Sequence, residues 1–316
     1  MIDGTVLGRG PPDRTFRGKE AVRISIALSG ERVTPPLAEH FDGVGLLRGE
    51  YVFRRAGRYP SAGSVADHLA PYLRDVAASI RAGQRVWYRF LEVDTAEANV
   101  LDGVEEVIRD EPNRLMGLRG IRRARRHPEH FRAELAGVAG VAGGGDRVGV
   151  ILPFVSELAE LEWGVAEIRR LSPTLPVATM VEVPSALIQL DDLLRAGVER
   201  AVIGVNDLSS LLCARARVVA GPIEPVPGLV AAIELARAAT ARHGADLVVA
   251  GYLSHDLLDV CEKIGVDEAA VHYSDLPRLF GDRWADLEEL GLLHEIKRRT
   301  KRDIAEFEAT AVGTRR

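Results

Sequence analysis

Cysteine is almost missing from this chain. Cys213 and Cys261 are the only two among 316 residues, and their spacing matches no metal-ligand pattern. That excludes a disulfide-framed scaffold and a thiolate metal centre, and it fits reduced thiols in a cytoplasmic protein. No apolar run is long enough to span a bilayer, so no membrane segment is expected. The opening residues, Met1-Ile2-Asp3-Gly4, lack a basic segment followed by an apolar one, so no signal peptide is expected either. An excess of basic charge is also missing. The net charge of −5 argues against a general nucleic-acid binder. The one basic stretch holds Arg119, Arg122, Arg123, Arg125, Arg126 and Arg132, and it reads as a solvated helix face with one or two arginines turned into a site. No GxGxxG follows the first strand-like segment, which weighs against a dinucleotide-binding sheet.

What is present is a regular alternation of elements. Short apolar, strand-like segments fall at 22–28, 43–47, 85–93, 147–152, 176–182, 200–205, 246–250 and 269–271. Helical spacing separates them at 65–82, 156–170, 185–196, 228–243 and 255–264, the last closed by Gly265. Ser156 is the expected cap of its helix, followed by an acidic first turn with Glu157 and Glu160. The glycine-rich run from Gly137 to Gly145 reads as a loop. About eight strands, each short and apolar, imply a parallel sheet covered on both faces and favour a closed (β/α)8 TIM barrel over an open sheet. The expected organisation is an N-terminal segment at 1–20, the barrel at 21–280 and a charged helical tail at 281–316 that packs on the barrel or on a second subunit.

In such a barrel the site lies at the C-terminal ends of the strands. Two of those ends deliver an acid: Met180-Val181-Glu182-Val183-Pro184 and Gly204-Val205-Asn206-Asp207-Leu208. Two carboxylates about one βα unit apart are a typical protein share of a Mg2+ site. Arginines stand at neighbouring ends: Arg48, Arg89, Arg119, Arg122 and, ten residues past Asp207, Arg217. Guanidinium forks pair with phosphate and carboxylate, so a small ligand carrying both would satisfy metal and arginines together. The metal would then stabilise an enolate as it develops.

These residues, taken in order, resemble the barrel that binds phosphoenolpyruvate (PEP) in the PEP-utilising enzymes: pyruvate phosphate dikinase, PEP synthase and enzyme I of the sugar phosphotransferase system. The resemblance covers about residues 20–275. Residues 42–53, DGVGLLRGEYVF, resemble the family's second-strand motif, and Asn113 to Arg122 its arginine loop. The Glu182 and Asp207 phrases resemble its metal motifs. The resemblance implies that Arg48, Arg89, Arg119 and Arg217 surround a phosphate, that Glu182 and Asp207 hold Mg2+, and that Asn206 contacts substrate; Met180 joins the expected substrate-binding set. Family barrels often pair, so a homodimer is expected, with the tail available for the interface.

The departures are as specific as the matches. The family's cysteine acid, which protonates the enolate, falls on Ala250, and the glutamate of the same motif falls on Tyr252. Two family threonines become Gly49 and Val205, and the family's Gly-Gly-Asp-Lys after the third strand is missing. No phosphohistidine domain fits before residue 20, so a separate phosphohistidine carrier protein is expected as a partner. Three readings follow. The first is a Mg2+-dependent PEP phosphotransferase barrel served by that carrier, its proton coming from Tyr252, His255, His272 or water. The second is a metal-dependent C–C lyase or aldolase working through a pyruvate-type enolate. The third is a catalytically weakened PEP-binding protein.

Overall fold

The computed structural model describes residues 22–104, 111, 113–215, 221–281 and 288–313. Eight parallel strands close into a barrel in sequence order, and β1 pairs with both β2 and β8. They are β1 (Arg23–Leu28), β2 (Val44–Arg48), β3 (Val86–Arg89), β4 (Val148–Leu152), β5 (Val177–Val181), β6 (Arg200–Gly204), β7 (Asp246–Gly251) and β8 (Glu268–His272). The chain is therefore an α/β TIM barrel. Among the described residues, no helix is long and apolar enough to cross a membrane.

Because both faces of each strand are covered, the strands alternate between two apolar clusters. One set fills the barrel interior: Ala27, Leu46, Trp87, Ile151, Ala178, Met180, Val202, Val248, Ala250 and Ala270. Their neighbours, such as Leu28, Leu47, Tyr88, Val181, Ile203 and Val271, face the helices. The interior is mostly small because Trp87 takes much of it. A Cβ at Gly149, the partner of Trp87 across the β3–β4 ladder, would stand 2.7 Å from the indole ring. At the N-terminal end the barrel is closed by charge. Arg200 lies over the Trp87 ring at 4.5 Å and pairs with Glu268 at 3.1 Å, and Glu268 accepts the Ser25 hydroxyl at 2.6 Å.

Four local expectations are corrected. The glycine-rich run is not a loop up to its end. The helix Pro128–Ala142 passes through Gly137 and Gly140 and stops at Gly143, which takes the left-handed conformation that ends helices. Glycine costs such a helix about 1 kcal/mol per position, but Phe131, Leu135 and Val138 bury one face, and Gly137 leaves room for Val65. The helix after β4 is capped by Glu157, not Ser156. Glu157 and Glu160 form a reciprocal capping box, and Glu160 also accepts the Ser156 N–H at 2.8 Å. The helical stretch 185–196 is two pieces, Pro184–Ile188 and Leu190–Arg195, which meet at Gln189. β3 ends at Arg89, leaving Glu92 in the following loop.

The C-terminal helix Glu288–Gly313 returns to the barrel and packs over the helix Gly49–Ala56. Ile296 buries itself against Tyr51, Thr300 accepts from Arg54 Nε at 3.3 Å, and Arg299 donates to the carbonyls of Arg54 and Arg55.

Candidate active site

The alternation that builds the interior also builds the site. One step beyond Leu46, Trp87, Met180 and Ala270, each strand's next inward position is Arg48, Arg89, Glu182 and His272. Beyond Ala27, the same step leads to Ser29. The C-terminal mouth is thus a polar ring resting on an apolar floor, and Met180 and Ala250 belong to that floor.

Arg89 is the centre of the ring. Its Nη2 donates to Glu50 at 2.6 Å and lies 3.8 Å from Glu92; its Nη1 donates to Glu182 at 3.5 Å. Burial works against its charge, but Glu50, Glu182, Glu92 and Asp207 outweigh that and raise its pKa further. Arg119 is the second buried cation. It binds Glu92 through Nε at 2.7 Å and Nη2 at 2.6 Å, and its guanidinium lies 4.1 Å from the centroid of the Phe154 ring. Of the basic stretch, Arg119 and Arg123 turn inward, while Arg122, Arg125, Arg126 and Arg132 stay outside. Arg48 is beside Arg89 in the β2–β3 register and is half-buried over the Tyr51 ring at 5.0 Å.

Glu182 and Asp207 are both buried. Glu182 sits just past β5. Asp207 lies in the first turn of the helix Val205–Leu212, where the helix dipole favours an anion. Burial, followed by the opposing influence of Arg89 and then repulsion from Asp207, raises the Glu182 carboxyl to about 7. Space for Glu182 comes from Gly204, where a Cβ would meet its Cγ at 2.7 Å. Its direction comes from the Phe154 N–H, which donates to Oε2 at 3.0 Å. Phe154 adopts φ 53°, a left-handed conformation that costs a bulky residue on the order of 1–3 kcal/mol. The same residue thus aims the acid and carries the ring under Arg119. Nothing in the local sequence marks Phe154, because the strain exists only where Pro153 and Gly120 press together.

Asn206 and Tyr252 are joined: Asn206 Oδ1 accepts the Tyr252 N–H at 3.0 Å. A Cβ at Gly251 would collide with that oxygen, and Gly251 also takes φ 141°. The Tyr252 ring is partly exposed and covered by Arg278 at 5.0 Å. His255 is exposed, whereas His272 is buried at the mouth. The Ser274 N–H donates to His272 Nδ1 at 3.1 Å, so Nε2 carries the proton toward Ser29 Oγ at 2.9 Å. Burial, Arg48 and Lys297 push the His272 pKa well down, so the ring is neutral. Arg217 lies outside the described residues.

The donor set suits one divalent cation. The buried cluster sets two guanidiniums, Arg89 and Arg119, against four carboxylates, Glu50, Glu92, Glu182 and Asp207. With every carboxylate ionised, the excess is two negative charges, which a single Mg2+ would cancel. Among the described residues no group of three or more His, Cys, Asp or Glu side chains is placed to hold an ion. A Mg2+ site does not require one, since water and ligand oxygens complete its shell.

The departure at Gly49 has a structural partner. A Cβ there would meet Tyr88 Cζ at 2.7 Å and the Arg89 carbonyl oxygen at 2.8 Å. Tyr88 fills the space and donates its hydroxyl to Glu134. Gly49→Thr, which introduces the residue that the resemblance implies here, is therefore expected to destabilise the fold by about 1–3 kcal/mol through overpacking. Adding Tyr88→Val should recover part of the loss, read from urea midpoints. An unchanged midpoint in the single variant would show that the space yields.

Comparison with known proteins identifies the barrel. A family model for the PEP-binding domain of PEP-utilising enzymes matches residues 19–279. Phosphoenolpyruvate synthase from Pyrococcus furiosus is 30% identical over 269 residues, covering 79% of this chain and 32% of its own length. The probable phosphoenolpyruvate synthase of Pyrococcus abyssi is 29% identical over 270 residues, with the same two coverages, 79% and 32%. The chain spans about a third of the length of these curated relatives. Among solved structures, an aldolase/citrate lyase family protein from Burkholderia cenocepacia superposes with a TM-score of 0.49 at 12% identity, covering 88% of this chain and 95% of that one. With the family match extending over the whole barrel, the chain belongs to the PEP-utilising enzymes and contains their PEP-binding domain.

Proposed function

We propose that this barrel binds PEP with Mg2+ at its C-terminal mouth and interconverts PEP and pyruvate through the enolate, the phosphoryl group passing to or from a histidine on a separate carrier protein. The observation that carries this reading is the buried Glu182–Asp207 pair, held at the strand ends with Arg89 and Arg48 beside it. The metal, when bound, would lower the cost of negative charge on the enolate oxygen. Glu182 and Asp207 would hold it, and Phe154 and Gly204 keep Glu182 aimed. Arg48, Arg119 and Arg217 would take the phosphoryl oxygens, while Asn206 and Tyr252 close the β6–β7 side of the mouth. In the PEP-consuming direction the P–O bond to the enolate breaks as the bond to the carrier histidine forms. The enolate carbon must then gain a proton.

Ala250 bears on that last step. It is an apolar floor residue, 2% exposed, and has no proton to give. Among the described residues at the mouth, Tyr252 and the Ser29 hydroxyl, which is bonded to His272, are candidates beside water. The same observation favours a second reading, a lyase in which the enolate meets a carbon electrophile and needs no acid at that position.

The readings separate in solution. Calorimetry should show PEP binding that requires Mg2+. Phosphorus NMR should show little turnover until a phosphohistidine carrier is added. Exchange of the methyl protons of pyruvate in heavy water, with release of pyruvate from an oxo-acid aldol, would favour the lyase. Binding with neither reaction, carrier included, would leave a PEP-binding protein without turnover. Absence of Mg2+-dependent PEP binding would remove the reading altogether.

A further inference from the structure

A second cluster of charged and titratable groups lies across the mouth from Glu182, on the β8–β1–β2 side. It contains Glu31 after β1, Arg48 at the end of β2, His272 at the end of β8, Asp275 just beyond it, and Lys297 of the C-terminal helix. Arg48 and Lys297 both act electrostatically on Glu31, on His272 and on Asp275, and Arg278 adds to them at Asp275, 3.8 Å away. Glu31, His272 and Asp275 are all buried. Glu31 Oε1, Arg48 Nε and Asp275 Oδ2 are buried atoms that find no hydrogen-bond partner among the described residues.

We propose that the C-terminal helix completes the ligand site, and that Lys297 with Arg48 binds the phosphoryl group of the ligand; this rests on the PEP-binding reading above. The helix is fixed for the task. Ile296 and Thr300, on either side of Lys297, are 3% and 4% exposed against the helix that begins directly after Arg48. Lys297 is exposed between these two buried positions, and its ammonium feels Arg48, Glu31, Arg54 and Asp275.

Charge supports the assignment. Burial raises the Glu31 carboxyl and carries that of Asp275 up to about 7, and Asp275 also lies 3.8 Å from Arg278. His272 is neutral, held so by burial and by the same two cations. Burial first, and then Arg48, lowers the Lys297 ammonium to about 8, with Arg54 adding to that and Glu31 and Asp275 opposing it. Glu97, on the other helix under this segment, is occupied with Arg54 at 3.3 Å. Arg48 and Lys297 repel each other, and a phosphoryl group bound by both reverses the sign of that interaction.

The test uses the full chain with Mg2+ and two ligands, PEP and oxalate, a mimic of the pyruvate enolate that lacks a phosphoryl group. Lys297→Met keeps most of the stem and should weaken PEP about 10- to 100-fold, the range for one charge-assisted hydrogen bond, while leaving oxalate unchanged. Lys297→Arg should restore PEP binding. PEP affinity of the unmodified protein should fall as pH rises through about 8, because only the protonated amine binds an anion, and Lys297→Arg should remove that fall. Unchanged PEP affinity in Lys297→Met, or an equal loss for PEP and oxalate, overturns the assignment. Those results leave the reading of the barrel intact, since oxalate binding that vanishes in Glu182→Gln reports on it alone. Failure of the unmodified protein to bind either ligand overturns both.

Discussion

Glu182→Gln should lose Mg2+-dependent PEP binding by about 100-fold or more, a cost near 2.7 kcal/mol, while the ligand-free protein becomes more stable. The two effects have opposite signs and one cause. Glu182 is buried beside Asp207, and its carboxyl is raised to about 7, so its ionised form is disfavoured until a cation arrives. Glutamine keeps the shape and the acceptor for the Phe154 N–H but removes the charge. Without ligand, that relieves repulsion. With Mg2+ and PEP, it removes one of the two carboxylates proposed to hold the metal, and the ligand-induced rise in Tm, which follows mass action, should vanish. Calorimetry and thermal melts with and without Mg2+ and PEP check both. A Glu182→Gln protein that still shows the full Mg2+-dependent Tm shift would place the metal elsewhere.

Glu134→Gln should stabilise the protein above pH 8 by roughly 2–4 kcal/mol, the free energy of ionising so deeply buried a carboxyl, discounted for relaxation of its surroundings. Glu134 is 2% exposed, beneath the β3 strand end. Burial raises its carboxyl to about 8, although Tyr88 and the Leu91 N–H donate to it. A folded pKa above the unfolded value of 4.5 means that the native state holds the extra proton. The stabilising contribution is therefore complete below about pH 4.5, declines as pH rises, and is gone above about 8. Glutamine resembles the protonated acid and should flatten that decline. Urea unfolding of both proteins across pH 5–9 tests it, and parallel profiles would show that Glu134 does not titrate in the fold.

Much of the candidate site was legible in the order of residues alone. Glu182, Asp207, Asn206, Arg48 and Arg89 could be named because short apolar strands ending in charge leave few other places for that charge to go. Strand alternation has period two, so a polar residue two steps beyond a buried inward residue must reach the mouth. The arginine-rich stretch was legible only in outline. Which of its members turn inward depends on the break at Arg119, where the chain leaves an extended conformation and enters the helix Gly120–Arg126. Gly137 and Gly140 misled because glycine's low helix propensity is a local effect, and the packing that outweighs it is not.

By itself, the sequence determined the barrel, its family and the pair of acids, since each is written in local periodicity or in motifs a few residues long. Only the tertiary structure decided that Arg89 is locked among Glu50, Glu92 and Glu182, that Phe154 is strained to aim Glu182, and that the C-terminal helix packs Ile296 and Thr300 on the helix that follows Arg48. Such contacts join residues far apart in the chain. Their energy exists only after closure of the barrel has removed water and fixed the distances between charges.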